Sequence, residues 1–553
     1  MSKSKNTRAK TNQNTVEPQM QRTDVVFGAI SNHPFIFTVI VCLMMFPFGF
    51  AQKENISEAG IVVEAILWII AAAALTVLGK PGRTQKETIT FFLGAASMTI
   101  IFSVSATISM DYEHTSAMFF APFLVSLGML GGVLWRNNKL NADRIVMMMI
   151  LMGIAVRYVY CLTHNSLEMQ HDIGSFDGEH GHLSYITYWY RNDMKLPDFN
   201  VTTRWQFYHP PLNHFLMAIL MKVFTSLGMP LSQAQEAIQI LPMLWSSLCM
   251  AVCFRICKLV QLKGAGLVAA MTAVCFYPTF IIWSGAYNND ILTTFLMLLA
   301  MLWTLKWAKK PTLINILPIA LCIGLGMMTK LSAWMVAPAV AMVFLWVLIK
   351  NIRRPLPFIG QYVVFGTVCA PLGLWWGIRN LLTFNIPITY VPDIQMSSMS
   401  VEHIPVLQRL FDFNFSQFSY PYEAFTIYQA PYNEYNPIIG LVKTSLFDEY
   451  SQQGSVNPLP VAMVIIACVL ALIGFISLIW MLIKRNTGMD LMTRLFFAVI
   501  FFTIIISYVA FCFQFPYVCT ENIRYCIPVI PILGIATGFG LNGLLEKRRK
   551  ATE

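Results

Sequence analysis

The chain is 553 residues long, 56% apolar and only 12% charged, with a mean hydropathy of +0.59. So little charge excludes a soluble enzyme of ordinary type and places the chain in a bilayer. The net charge of +10 and the pI near 9.0 do not require a nucleic-acid partner, because the basic residues sort by loop in a way that reports membrane topology.

In chain order, residues 1–32 form a polar tail expected to be disordered and cytoplasmic. No cleavable signal peptide is evident, and the first apolar span can serve for insertion. A hydrocarbon layer roughly 30 Å thick takes about 20 helical residues to cross, since only helices and closed barrels satisfy their own backbone there. Apolar runs of that order lie near 33–51, 60–79, 89–108, 115–135, 145–162, 237–256, 264–283, 291–308, 312–328, 332–350, 357–379, 460–483, 495–513 and 526–545. The expected fold class is therefore an all-α polytopic membrane protein with about 14 transmembrane helices. Of its 12 cysteines, most lie inside the apolar runs with no CxxC pair, so they read as small core residues. The sequons at Asn55, Asn200 and Asn414 all fall in outer loops, a pattern that chance also produces.

A further apolar run, Pro211 to Leu227, decides the topology. If it does not cross, 27 of the 38 Lys and Arg, but only 7 of the 28 Asp and Glu, share the face of the basic N-terminus. That is the positive-inside pattern, with both termini cytoplasmic and a basic tail at 546–553. Pro211 to Leu227 then reads as a surface helix in the first large outer loop, begun by a proline that has no N–H to lose in a first turn. The competing reading is a short span.

The middles of the spans carry almost no charge. Unusual polar residues gather instead on the outer side: His171, Asp172, Asp177, Glu179, His180 and His182 after the fifth span, then Arg204 and His209, "YNND" at Tyr287 to Asp290, Lys330, Arg379, and "ENIRY" at Glu521 to Tyr525. Such a distribution suggests an extracytoplasmic reaction centre that works on a substrate held in the membrane. A coupled transporter would keep its charges near the midplane.

The segments "FDGEHGHLSYI", "HPPL", "SGAYNNDILTTFLMLLA", "GLGMMTKLSAWMVAP" and "RYCIPVIPIL" occur in an order that resembles the GT-C class of integral-membrane glycosyltransferases. On this reading the chain is similar to the protein O-mannosyltransferase and lipid A aminoarabinose transferase families. The resemblance covers roughly Ile145 to Asn542. It implies a GT-C-like core at 141–545, including outer loops at 163–236 and 382–459, preceded by a four-helix membrane extension at 33–140. It also implies transfer of one sugar from a polyprenyl-phosphate carrier to an acceptor outside the cytoplasm, with inversion. The acceptor is a protein, a lipid or an envelope glycan. No cofactor is required, and membrane lipids are the other partners.

Asp177 matches the first-loop acid of that family and is the expected general base, with Asp172 in reserve and Asp290 as a second acid. The competing reading of each is a solvated loop carboxylate. Asp177 departs from the family's adjacent Asp-Glu, since Gly178 follows it and Glu179 comes one place late. In "QFYHPPLNHF" two prolines restrict His209, so that it can be aimed at sugar or phosphate, with Tyr208 beside it. The alternative is a turn that His209 merely caps. Lys330, Arg379 and Arg524 are the expected phosphate contacts, with Asn289 and Tyr525 completing the substrate-binding set. Basic residues at span ends also snorkel. His180 and His182, two apart on a helix, face different ways and read as polar-face residues. No metal is predicted, although Asp172, Asp177 and His180 offer ligand chemistry. The tyrosine-rich part of 382–459 reads equally as a sugar platform or an aromatic belt. Two rival functions remain, a flippase for lipid-linked sugars and a non-catalytic scaffold. A bacterial plasma membrane is the expected location, with the endoplasmic reticulum as alternative.

Overall fold

The computed structural model describes residues 31–49, 124, 127–392, 400–413, 435–448, 458–484 and 488–552. The spans expected near 60–79 and 89–108, most of the tyrosine-rich outer segment, and the sequons at Asn55 and Asn414 lie outside them. Among the described residues the regular elements are all helices, apart from one isolated bridge between Ser400 and Tyr517.

The helices are α1 (Pro34–Gly49), α2 (Ala142–Thr163), α3 (His182–Arg191), α4 (Leu212–Ser226), α5 (Leu231–Ala237), α6 (Ile240–Leu259), α7 (Gly264–Cys275), α8 (Pro278–Ile282) and α9 (Asp290–Lys309). They continue with α10 (Leu313–Thr329), α11 (Ala337–Lys350), α12 (Leu356–Phe384), α13 (Val406–Phe411), α14 (Pro437–Phe447), α15 (Pro458–Ile483), α16 (Leu491–Gln514) and α17 (Val529–Thr552). Among the described residues, 8 helical stretches are long and apolar enough to cross a membrane: 142–163, 231–259, 290–309, 331–350, 356–384, 459–483, 491–514 and 529–550.

One sequence-predicted span takes a different form, and two other apolar runs fold as helices near their expected bounds. The run near 264–283 is broken into α7 and α8 at Pro278, which has no N–H for the carbonyl of Val274 four residues before it. Arg157, fully buried on α2, donates to that carbonyl at 2.8 Å, to the Cys275 carbonyl at 3.0 Å and to Ser246 Oγ at 2.8 Å. The run near 312–328 becomes the 17-residue α10, followed after Lys330 by a 3-10 turn, Leu331–Val336, that leads into α11. Pro211 to Leu227 becomes α4, whose 15 residues reach only about 22 Å at 1.5 Å per residue, short of the hydrocarbon thickness. Its Lys222 is half exposed and pairs with Asp193 at 3.1 Å.

Side-chain size sets how closely α7 and α17 approach. A Cβ on Gly266 of α7 would meet the Gly538 carbonyl of α17 at 2.2 Å, and one on Gly538 would meet the Gly266 carbonyl at 2.4 Å. Only glycine lets these backbones touch, the small-residue packing that substitutes for a hydrophobic driving force within lipid. α10 packs along α9 and α12, and α6 along α9. Those contacts bring the N-terminus of α9 and the C-terminus of α10 side by side.

Candidate active site

The site is built on interruptions of helices. α9 opens at Asp290, whose carboxylate sits in the first turn where the helix dipole favours negative charge, while Lys306 and Lys309 occupy the last turn. The turn before it is pinned from α4: Asn213 Nδ2 donates to the carbonyls of Tyr287 at 3.2 Å and Asn288 at 3.0 Å. Asn289 Nδ2 donates to the Thr329 carbonyl at 3.0 Å and so ties the start of α9 to the end of α10. The next residue, Lys330, is extended (φ −153°, ψ 130°) between α10 and the 3-10 turn. Its Nζ donates to Asp290 Oδ1 at 2.5 Å, with 12% and 4% of the two side chains exposed.

A second ion pair comes from segments distant in the chain. After α16 the backbone makes two short 3-10 turns, Val518–Thr520 and Ile523–Tyr525, and Asn522 caps the latter by accepting from Arg524 N at 2.8 Å. Arg524 Nη1 donates to Asp172 Oδ2 at 2.9 Å. The two pairs share one aromatic floor, since Lys330 Nζ lies 4.9 Å and Arg524 Cζ 5.1 Å from the Tyr525 ring centre. Burial pulls the Lys330 ammonium below its ordinary basicity, against the opposing charge of Asp290.

Above the pairs stands a column of histidines. His209 stacks on His182 with ring centres 5.8 Å apart, and His182 on His214 at 5.1 Å. His182 Nδ1 and His214 Nε2 are 2.7 Å apart, so one ring donates to the other. Burial holds all three imidazoles well below their ordinary pKa, and the positive charges of Lys330 and Arg524 push His209 the same way. Tyr208 packs on His209 at 4.4 Å and feels the charges of Asp172 and Arg524. Trp376 Nε1 holds the Tyr208 carbonyl at 3.0 Å. Two prolines after His209 fix that approach, and Pro211 caps α4.

The structure thus brings Asp172, Asp290, Lys330, Arg524, Tyr525, Tyr208 and His209 together, with Asn289 as the tie beneath them. Two expected members lie elsewhere. Asp177 points outward: its side chain is 83% exposed and faces Arg191 of α3 at 2.6 Å. The loop turns between the two acids, with Asp172 at φ +54° and Gly174 at φ +61°, so they leave on different sides. Arg379 donates to the Pro197 carbonyl and to Asn380 Oδ1, and its guanidinium lies over Trp376 and Phe384. It braces the first loop and stands apart from the Lys330–Arg524 cluster.

His180 accepts from Trp205 N at 3.1 Å, so Asp172, Asp177 and His180 are each engaged by a different partner. His182 is buried in the column and so corrects its reading as a polar-face residue. Among the described residues no group of three or more metal-ligating side chains converges. Sequence reading passed over His214, whose i+5 spacing from His209 gave no signal. It also passed over Asp448, which touches His171 at 2.6 Å.

Residues 208–375 match the dolichyl-phosphate-mannose-protein mannosyltransferase family. The matched stretch contains Tyr208, His209, Asp290 and Lys330, while Asp172 and Arg524 lie outside it. No curated protein matches the chain. The match supports a GT-C-like glycosyltransferase and implies, at family level, a polyprenyl-phosphate sugar donor. With the apolar helices it marks a multi-pass membrane protein.

Proposed function

We propose that the chain transfers a sugar, with inversion, from a polyprenyl-phosphate carrier to a hydroxyl acceptor outside the cytoplasm, and that Asp172 is the general base. One observation carries this reading: two carboxylate–cation pairs, Asp290–Lys330 and Asp172–Arg524, meet over the Tyr525 ring. Asp172 takes the base role from Asp177 because it lies beside the cations, and because 26% of its side chain is open to an incoming acceptor. Asp290, almost wholly enclosed, orients Lys330.

In the reaction Asp172 removes the acceptor's proton as its oxygen attacks the anomeric carbon. The bond from that carbon to the phosphate oxygen breaks, and polyprenyl phosphate leaves with one more negative charge. Lys330 and Arg524 stabilise that charge where it develops. A planar guanidinium can hold a carboxylate and a phosphate oxygen together, which suits Arg524 to both tasks. His209, neutral and fixed by its prolines, supplies a hydrogen bond to the sugar or the phosphate.

The remaining expectations fit the same scheme: about 14 spans, cytoplasmic termini, α3 and α4 lying at the outer surface, and a bacterial plasma membrane. Incubation of the purified chain with a panel of polyprenyl-phosphate sugars, with and without hydroxyl acceptors, tests the reading through released polyprenyl phosphate. Wild-type release that disappears in Asp172→Asn is the expected result. Movement of the carrier across the membrane with no release would instead favour the flippase.

A further inference from the structure

The proposed base and its cation are joined by a second path through the protein. His171 precedes Asp172 in the chain, and its Nε2 lies 2.6 Å from Asp448 Oδ2, with 4% and 1% of the side chains exposed. The ring nitrogen and the carboxylate oxygen are in close polar contact, without the alignment of a regular hydrogen bond. The ring is held flat against Trp283, 5.4 Å between centres and 10° from parallel. The other oxygen, Asp448 Oδ1, accepts from Asn522 Nδ2 at 3.1 Å. Asn522 in turn accepts from Arg524 N at 2.8 Å, and Arg524 returns to Asp172 at 2.9 Å.

Asp172, Arg524, Asn522, Asp448 and His171 therefore form a closed ring of contacts. It ties the first outer loop, the end of α14 and the turn after α16. Asp172 and Asp448 both hold positive φ, +54° and +59°, a backbone state uncommon outside glycine that persists where surrounding contacts over-determine it.

We infer that His171, Asp448 and Asn522 are positioning residues for the transfer reaction: they fix Asp172 and Arg524 relative to each other from behind, without touching substrate. The inference rests on the proposed function. It has an energetic logic, because a base and a phosphate contact drawn from segments 352 residues apart need a rigid common support to keep catalytic geometry.

The test uses the full chain with a polyprenyl-phosphate-mannose probe and follows release of polyprenyl phosphate. His171→Leu and Asp448→Asn should each lower kcat by up to about 100-fold, the effect of displacing a catalytic group by roughly 1 Å. KM for the donor should stay within about twofold, because the lost alignment matters most as phosphate charge develops. His171→Gln, which offers an N–H to Asp448, should recover most of the rate. Asp448→Asn and Arg524→Lys should not add when combined.

Wild-type kcat in folded His171→Leu overturns the inference, as does a His171→Gln variant no better than His171→Leu. If His171→Leu does not fold, His171→Gln and Asp448→Asn still decide it by kcat and non-additivity. If the wild-type chain releases no polyprenyl phosphate, the proposed function fails, and thermal unfolding of the same variants becomes the readout for the ring. Strictly additive losses of melting temperature in Asp448→Asn and Arg524→Lys would then sink the inference separately.

Discussion

Lys330 donates to Asp290 across 2.5 Å, and the two residues meet only because α10 stops one residue before Lys330 while α9 starts at Asp290. Both side chains are enclosed, so removing one partner strands a charge. Lys330→Met should cost about 3–5 kcal/mol of stability, the range for breaking a buried pair from one side. Asp290→Asn combined with Lys330→Met should regain much of that loss while transfer stays absent. Thermal unfolding in detergent, run beside the release assay, separates the two effects; a single variant as stable as wild type would mean the pair is not enclosed as described.

The two first-loop acids should behave oppositely. Asp172→Asn removes the proposed base and should lower turnover by about 10²- to 10⁴-fold, as loss of a positioned general base does. Asp177→Asn breaks only an exposed pair with Arg191, and such contacts contribute little. Its turnover should match wild type. Rate measurements on the two variants decide between them, and a reversed outcome would return the base role to Asp177.

Much of this site was legible because helix ends leave marks in sequence. Asp290, which follows two asparagines at the start of α9, and the lone Lys330 stood out as charges beside apolar stretches. Hidden from sequence were relationships set by loop geometry. Nothing in "HDIGSFDGEHGH" shows that positive φ at Asp172 and Gly174 sends one acid inward and the other out. Asp448 and Asn522 matter only through folding that joins chain-distant turns, and α7 and α8 read as one span because hydropathy does not register the donor that Pro278 lacks.

Acid should weaken the segment between α2 and α5. Burial depresses the folded pKa of His182, His209 and His214 below the ordinary 6.5. A group with a depressed folded pKa gives stability that is present above its unfolded value and lost as pH falls toward the folded one. The sign therefore predicts a falling melting temperature below about pH 6.5, where the unfolded chain takes up more protons. The groups facing the column are Lys330, Arg524 and His171, none of which reverses that direction. His214→Gln should flatten the acid limb of a melting-temperature profile between pH 5 and 7, a span centred near the imidazole range. An unchanged slope would show that the column does not titrate with unfolding.

Arg157 should prove structural and not interchangeable with lysine. Its guanidinium reaches Ser246 Oγ through Nε, the Gly153 and Cys275 carbonyls through Nη1 and the Val274 carbonyl through Nη2. The Val274 acceptor is the one that Pro278 deprives of its helical donor. Arg157→Met should then cost about 1–3 kcal/mol for each buried carbonyl left without a partner. Arg157→Lys should recover little, because a single ammonium cannot span acceptors that a planar fork reaches together. Pro278→Ala restores an N–H opposite Val274, so the Arg157→Met, Pro278→Ala pair should be more stable than Arg157→Met alone. Thermal unfolding of the three variants reads this coupling directly; strictly additive losses would mean that the proline and the arginine act on different parts of the α7–α8 break.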